Sequence, residues 1–273
     1  MKLILKIIFA VLTIPVIILC VFSLNIRDQY LSSHFWINTF RSNNVYEKVS
    51  NAMRSRLFAN VIAGGGKVSD ITDLSGLISA STVESLFEKN IDNFIKYSNG
   101  KTKELMVYAP TSIGNDLTKI NLKNLDSFSK EVTVQEFFDE YNITGISKQD
   151  LTFVSKLGLW SWGLTVFIYA LLMALLMGMY FLTTSGKRLV APAISFATAG
   201  VVILGMFVLG RYSANLLITK YISSPNVGAE LAAIIVPPIV ASTVRLWFWF
   251  GISALLSGVV LFFIRKPAKN KLN

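Results

Sequence analysis

Four long apolar stretches constrain this sequence more than any other feature. They cover residues 7–24, 157–183, 190–210 and 229–264. A helix of about 20 apolar residues crosses the hydrocarbon core of a bilayer, which is roughly 30 Å thick. Lipid offers the backbone no hydrogen-bond partners, so segments that cross it in this way are helical. We therefore predict an all-α, multi-pass protein of the cell membrane with four transmembrane helices, whose first partner is the lipid bilayer.

Composition supports this class and excludes others. Hydrophobic residues make up 53% of the 273-residue chain and charged residues only 15%. A soluble domain typically carries about 25% charged residues, so a purely soluble or disordered chain is excluded. The single cysteine, Cys20, excludes intramolecular disulfides. The fold must therefore be stabilised by packing.

The first stretch predicts a transmembrane helix over residues 1–24. Lys2 and Lys6 precede the apolar run, and a cleaved signal peptide shares this basic start. Cleavage requires small residues at the exit, and Val21-Phe22-Ser23 meets that requirement only weakly. We favour an uncleaved span, with the signal peptide as the alternative.

The last stretch is too long for a single crossing. Its 36 residues would extend ~54 Å as one helix, and Arg245 divides them. We predict that residues 158–273 hold spans two to four, with an extracytoplasmic helical hairpin at about 211–245. The hairpin would consist of helices at 212–222 and 229–244. Their apolar faces would need cover, which the large domain could supply.

Basic residues near the spans set the predicted orientation. Eight of them flank the spans on one side of the membrane and three on the other: Lys2, Lys6, Lys187, Arg188, Arg265, Lys266, Lys269 and Lys271 against Arg211, Lys220 and Arg245. Short loops rich in lysine and arginine stay in the cytoplasm. Both termini are therefore predicted to be cytoplasmic, and residues 25–157 to be extracytoplasmic.

Residues 25–157 are predicted to form a mostly helical extracytoplasmic domain. They contain 15 basic and 15 acidic residues, so the net charge of +10 belongs to the spans and their flanks. Apolar residues recur at helical spacing from 45 to 61 and from 83 to 95. Gly64-Gly65-Gly66 follows the first of these helices and is predicted to be a flexible linker.

Local signals add detail to this domain. Ser81 to Glu84 and Thr133 to Glu136 have the spacing of a capping box, which marks a helix start. Ser147 is predicted to begin another helix, which leads into span two. Residues 104–108 are the best candidate for a short strand, and residues 26–40 are predicted to extend span one outward.

Small residues recur at four-residue spacing within two spans. They are Ala170, Ala174 and Gly178 in span two, and Ala254 and Gly258 in span four. Small side chains allow helices to approach closely in lipid. We predict that these positions mediate helix packing.

No pattern in the sequence indicates catalysis. His34 is the only histidine, and aromatic residues beside it indicate a position near the membrane interface. Carboxylate pairs such as Glu84 with Glu88 fall on polar helix faces and are predicted to be solvated. We expect no enzymatic activity, no catalytic residue, no cofactor and no metal site.

Three charged residues flank the predicted hairpin. Arg211, Glu230 and Arg245 would lie at the rim of a hydrophobic groove between its two helices, our candidate binding site. Glu230 is the only acidic residue outside residues 25–157. Either both arginines anchor the chain at lipid headgroups, or one of them pairs with this carboxylate.

The layout resembles a group of uncharacterised bacterial four-span membrane proteins. The residues that carry the resemblance are Tyr30 and Phe40 before Asn44-Val45-Tyr46, and Phe94 to Gly100 ahead of Lys103-Glu104-Leu105. It implies a large extracytoplasmic helical domain after span one, and it implies no particular activity.

These observations favour a binding role over chemistry. The leading interpretation is a non-catalytic protein of the cell envelope whose extracytoplasmic domain binds an unidentified protein or ligand. The alternative is a subunit of a channel or transporter with a helical cap, and a membrane-bound hydrolase is less favoured. We expect no nucleic-acid partner, because the domain lacks a basic stripe with aromatic residues. Association into a homo-oligomer is left open.

Overall fold

A computed structural model describes residues 2–63, 78–110, 129–140, 147–183, 187–222 and 227–264. The predicted glycine linker at 64–66 and the basic residues after 264 lie outside the described residues. In chain order the elements are α1 Lys2–Leu24, a π-helical turn Asn25–Tyr30, α2 Ser33–Ser42, α3 Val45–Ala63, α4 Ala80–Ser98, β1 Met106–Pro110, β2 Ser129–Thr133, α5 Val134–Glu140, α6 Lys148–Ser155, α7 Leu157–Phe181, α8 Val190–Ile222 and α9 Val227–Ile264.

The prediction of an all-α chain with four helices of spanning type is confirmed. The segments long and apolar enough to cross a membrane are Lys2–Tyr30, Leu157–Phe181, Val190–Ser213 and Glu230–Ile264. Within the described residues, the exception to helix is a two-stranded antiparallel sheet of β1 and β2. The chain is a multi-pass membrane protein.

The predicted separate helices at 212–222 and 229–244 are wrong. Residues 212–222 are the last turns of α8, and α9 continues without interruption through Pro237, Pro238 and Arg245. Arg245 is exposed, so its long side chain can carry the charge away from apolar surroundings without a break in the helix. The predicted joint at 223–226 lies outside the described residues.

The predicted helical extension of span one over residues 26–40 is also wrong in part. The helix ends in the π-helical turn Asn25–Tyr30, and Leu31 and Ser32 separate it from α2. Trp36 of α2 donates a 3.0 Å hydrogen bond from Nε1 to the carbonyl oxygen of Tyr30. A π turn is rare and occurs mostly as a single turn within an α-helix, where it is one of the recognised causes of a kink.

The chain folds into two compact units. The membrane unit comprises Met1–Gln29, Trp160–Leu217 and Val240–Asn273, and the loop unit comprises Tyr30–Leu159 and Ile218–Ile239. Both α8 and α9 therefore contribute residues to each unit. The loop unit takes its name from the long segment between the first two spans.

Consecutive spans of the membrane unit alternate in direction. Val16 and Cys20 of α1 pack against Ile168 and Leu175 of α7, whereas Ile17 and Val21 of α1 pack against Ala199 and Ile203 of α8. Ser195 of α8 also donates a hydrogen bond to the carbonyl oxygen of Ala10, so early residues of α1 meet early residues of α8 and later residues meet later ones, which shows that the two helices run in parallel. Lys2, Lys6, Lys187 and Arg188 consequently lie at one end of the unit.

Glycines set the distance between α8 and α9. A Cβ atom at Gly200 would lie 2.6 Å from the backbone nitrogen of Leu255, and one at Gly258 would lie 2.6 Å from that of Ala197. At Gly178 of α7 the close neighbour is instead a side chain, the Phe9 ring of α1, and Ala254 of α9 is buried. The predicted packing role is confirmed at Gly178, Ala254 and Gly258. Ala170 and Ala174 are exposed instead.

Candidate functional site

An aromatic cluster forms the core of the loop unit. Phe40 of α2 is buried, and its ring lies edge-on to Trp36, Tyr46 and Phe87 with centroid separations of 5.9–6.0 Å. Val45, Val49 and Val83 complete the buried set. Edge-to-face ring pairs add about 0.5–1.5 kcal/mol each to the stabilisation from burial. The cluster fixes α2, α3 and α4 against one another.

The first turns of α9 belong to the same core. Leu231, Ile234, Ile235 and Ile239 lie on one face of the helix and pack against the aromatic cluster. Beside them, Arg56 Nε donates to Glu230 Oε2 across 2.7 Å. The expectation that the large domain covers the apolar face of residues 229–244 is confirmed for these four side chains.

A three-residue ion pair joins α2 to α4. Arg41 reaches Glu84 Oε1 through Nε and Glu88 Oε1 through Nη2, each at 2.7 Å. Tyr46 is only 5% exposed, and its hydroxyl has no hydrogen-bond partner among the residues that the structure describes. Burial raises the pKa of this phenol, so it stays protonated across the physiological range. The network therefore holds helices together and offers no ionisable phenol for catalysis.

Two asparagines of α4 protect the edge of the small sheet. Asn90 accepts a 2.8 Å hydrogen bond from the backbone nitrogen of Tyr108 and donates to its carbonyl oxygen at 3.1 Å. Asn93 donates to the carbonyl oxygen of Met106 at 3.2 Å. These amides occupy the backbone groups that a further strand would use, so this edge of β1 is closed to strand addition.

The second half of α3 exposes apolar side chains. Phe58 is 39% exposed and Ile62 is 62% exposed. They lie one turn apart, on the same face of the helix as the polar Asn51 and Ser55. The first half of α3 buries Val45 and Val49 in the aromatic cluster, although Met53 near its middle is 40% exposed. We call Phe58 and Ile62 the α3 stripe. It is the candidate contact surface of the loop unit.

The three residues predicted at the rim of the groove, Arg211, Glu230 and Arg245, make different contacts. Arg211 and Arg245 directly follow Gly210 and Val244, which are in contact, so the two arginines lie at the same level of the membrane unit. Both are exposed. Glu230 pairs with Arg56, a partner that the sequence patterns did not indicate, because the two residues are far apart in the chain.

Carboxylates with displaced pKa values cap helices. Glu136 accepts from the backbone nitrogen of Thr133, and this hydrogen bond lowers its pKa. A hydrogen bond from the Ser147 hydroxyl lowers the pKa of Asp150. Both displacements keep the carboxylate ionised, whereas a general acid needs its pKa raised.

The other ionisable side chains that the structure describes form local pairs or face solvent. Among the described residues, no three His, Cys, Asp or Glu side chains come together as metal ligands. The exposed His34 ring accepts a 2.8 Å hydrogen bond at Nε2 from Asn38 Nδ2, one turn further along α2. Lys96 pairs with Asp92 on the surface of α4. These groups stabilise helices or face solvent.

Comparisons with protein-family models, with curated proteins and with solved structures found no match for this chain.

Proposed function

We propose that this membrane protein acts without catalysis in the cell envelope, by binding a protein partner or ligand through its loop unit. The proposal places both termini in the cytoplasm and residues 25–157 outside. In this arrangement the four spans serve as an anchor. The α3 stripe is the observation that carries the binding role.

The contrast within α3 supports this role for the stripe. The unit has a buried aromatic core that already includes the apolar face of α9, and the ionic side chains described above are paired at its surface. Phe58 and Ile62 remain exposed outside that core. Exposed apolar side chains grouped together, rather than scattered singly, are typical of contact surfaces.

Polar side chains in the membrane unit favour an anchor over a channel or transporter. Thr13, Ser23, Thr165 and Thr183 each donate a hydrogen bond of 2.7–2.9 Å to a carbonyl oxygen of their own helix. Transport pathways use polar and ionisable groups that face a cavity or another helix. These four hydroxyls are satisfied within their own helices, and the described exception is Ser195, which also donates to the carbonyl oxygen of Ala10 in another helix.

Site-specific photo-crosslinking tests the binding role. A photoreactive amino acid is placed at Phe58 or Ile62 in the full-length protein in its native membrane, with the exposed Lys101 as the matched control position. We expect discrete crosslinked products from the first two positions and not from the third. Equal products from all three positions, or none from any, would overturn the proposed surface.

Reporter fusions test the orientation. A reporter that is active only in the cytoplasm should be active after Asn273 and silent at Gly65. The opposite pattern would reverse the topology and place the loop unit in the cytoplasm. Solute flux through liposomes that contain the purified protein would favour the channel alternative, since an anchor has no such activity.

A further inference from the structure

A groove runs between α1 and α8 in the membrane unit. It is a cavity of about 260 Å³, lined by residues 3–14 of α1 and residues 190–195 of α8. Small side chains at Ala10 and Ala191 leave this space between larger isoleucines. At its floor, Ser195 Oγ donates a 3.0 Å hydrogen bond to the carbonyl oxygen of Ala10, which holds the two helices together.

The chemistry of the groove combines an apolar wall with one cation. Apart from Ser195, its α8 wall consists of aliphatic side chains, and Lys6 is the charged residue of the lining. Because α1 and α8 run in parallel, the groove lies at the end of the unit where both helices begin. Lys2, Lys187 and Arg188 lie at that end as well. A lysine there can extend its ammonium group to the membrane interface while its methylenes stay in hydrocarbon.

We propose that this groove binds an acyl chain of an anionic phospholipid, with the headgroup phosphate at Lys6. Water gains little in an aliphatic groove of a membrane-spanning unit, whereas an acyl chain fills it with favourable contacts. Lys6 supplies charge complementarity to a phosphate within the lining of the groove. The site is independent of the proposed function of the loop unit.

The test measures lipid retention by native mass spectrometry of the full-length protein in a neutral detergent. Phosphatidylglycerol and phosphatidylcholine with the same acyl chains are titrated in parallel. One lysine near a membrane surface changes affinity about fivefold, so we expect Lys6→Gln to raise the Kd for phosphatidylglycerol by that factor. Lys2→Gln removes the same charge outside the lining and should have a much smaller effect.

A second pair of variants tests the groove itself. Ile194→Trp fills the cavity and should abolish retention of both lipids, whereas Val201→Trp, at an equally exposed position on α8 outside the groove, should leave it unchanged. Glycerol phosphate without acyl chains should not compete. Equal effects of the two lysine variants, equal effects of the two tryptophan variants, or no preference for phosphatidylglycerol in the unmodified protein would overturn the proposal.

Discussion

The close approach of α8 and α9 predicts how one methyl group should change stability. In Gly200→Ala, the new Cβ would lie 2.6 Å from the backbone nitrogen of Leu255 and 2.8 Å from the carbonyl oxygen of Gly251. Both atoms belong to helix backbone, so α9 must shift as a whole to relieve the contact. Overpacking of this kind typically costs about 1–3 kcal/mol.

Gly205→Ala is the matched control on the same helix. A Cβ at Gly205 would meet no atom of the described part of the chain within 4 Å, its own helix backbone aside. Both substitutions gain the same helix propensity, up to about 1 kcal/mol, because alanine loses less backbone entropy than glycine. The difference between the two variants therefore isolates the contact, and we expect Gly200→Ala to be less stable than Gly205→Ala by about 1–3 kcal/mol.

The assay is equilibrium unfolding of the full-length protein in mixed micelles, with increasing SDS and detection by circular dichroism. Equal midpoints for the two variants would refute the close contact between α8 and α9. A lower midpoint for Gly205→Ala would mean that the faces of α8 are assigned the wrong way round.

Three further outcomes test the loop unit. Phe40→Ala should lower the free energy of unfolding of the full-length protein by about 3–5 kcal/mol in the same assay. Phe94 is partly exposed, so Phe94→Ala should change this free energy by about 1 kcal/mol or less. Similar losses for the two variants would contradict the aromatic core. The pKa of Asp150 is lowered below its ordinary 3.8, so its charge stabilises the fold above that value and this contribution is lost as the pH falls through the lowered pKa. Melting curves should therefore show that the deficit of Asp150→Asn is constant above about pH 5 and shrinks in acid, and a pH-independent deficit would contradict the cap. Exchanging Arg56 and Glu230 should restore most of the stability that Arg56→Glu alone removes, as measured by a double-mutant cycle, and no recovery would contradict their pairing.

Patterns between near neighbours in the sequence predicted local structure well. The four spans follow from apolar stretches, and the capping box at Thr133 and the helix start at Ser147 follow from local signals that the structure contains. The box predicted at Ser81 is wrong, because Ser79 caps α4 two residues earlier and Glu84 binds Arg41 instead. A capping signal fixes a helix start only when no neighbouring serine competes for it.

Contacts between distant residues could not be predicted in the same way. The predicted strand at 104–108 lies at 106–110, shifted by two residues, because its position depends on pairing with β2 and on Asn90 of α4. The break predicted at Arg245 was based on the length limit of a transmembrane helix. The helix is continuous there, because a helix can continue past the membrane when a protein core covers its apolar face. Such cover is visible only in three dimensions.

The contribution of α9 to the loop unit also affects how the protein is made. The side chains that complete the aromatic core, Leu231 to Ile239, leave the ribosome about 130 residues after α4 is finished. The ribosome adds roughly 5–20 residues per second, so one apolar face of the core stays uncovered for on the order of ten seconds. A fragment ending at residue 157 would keep that face uncovered permanently, so it should aggregate where the full-length chain does not. Completion of this fold is thus tied to the synthesis of the last span.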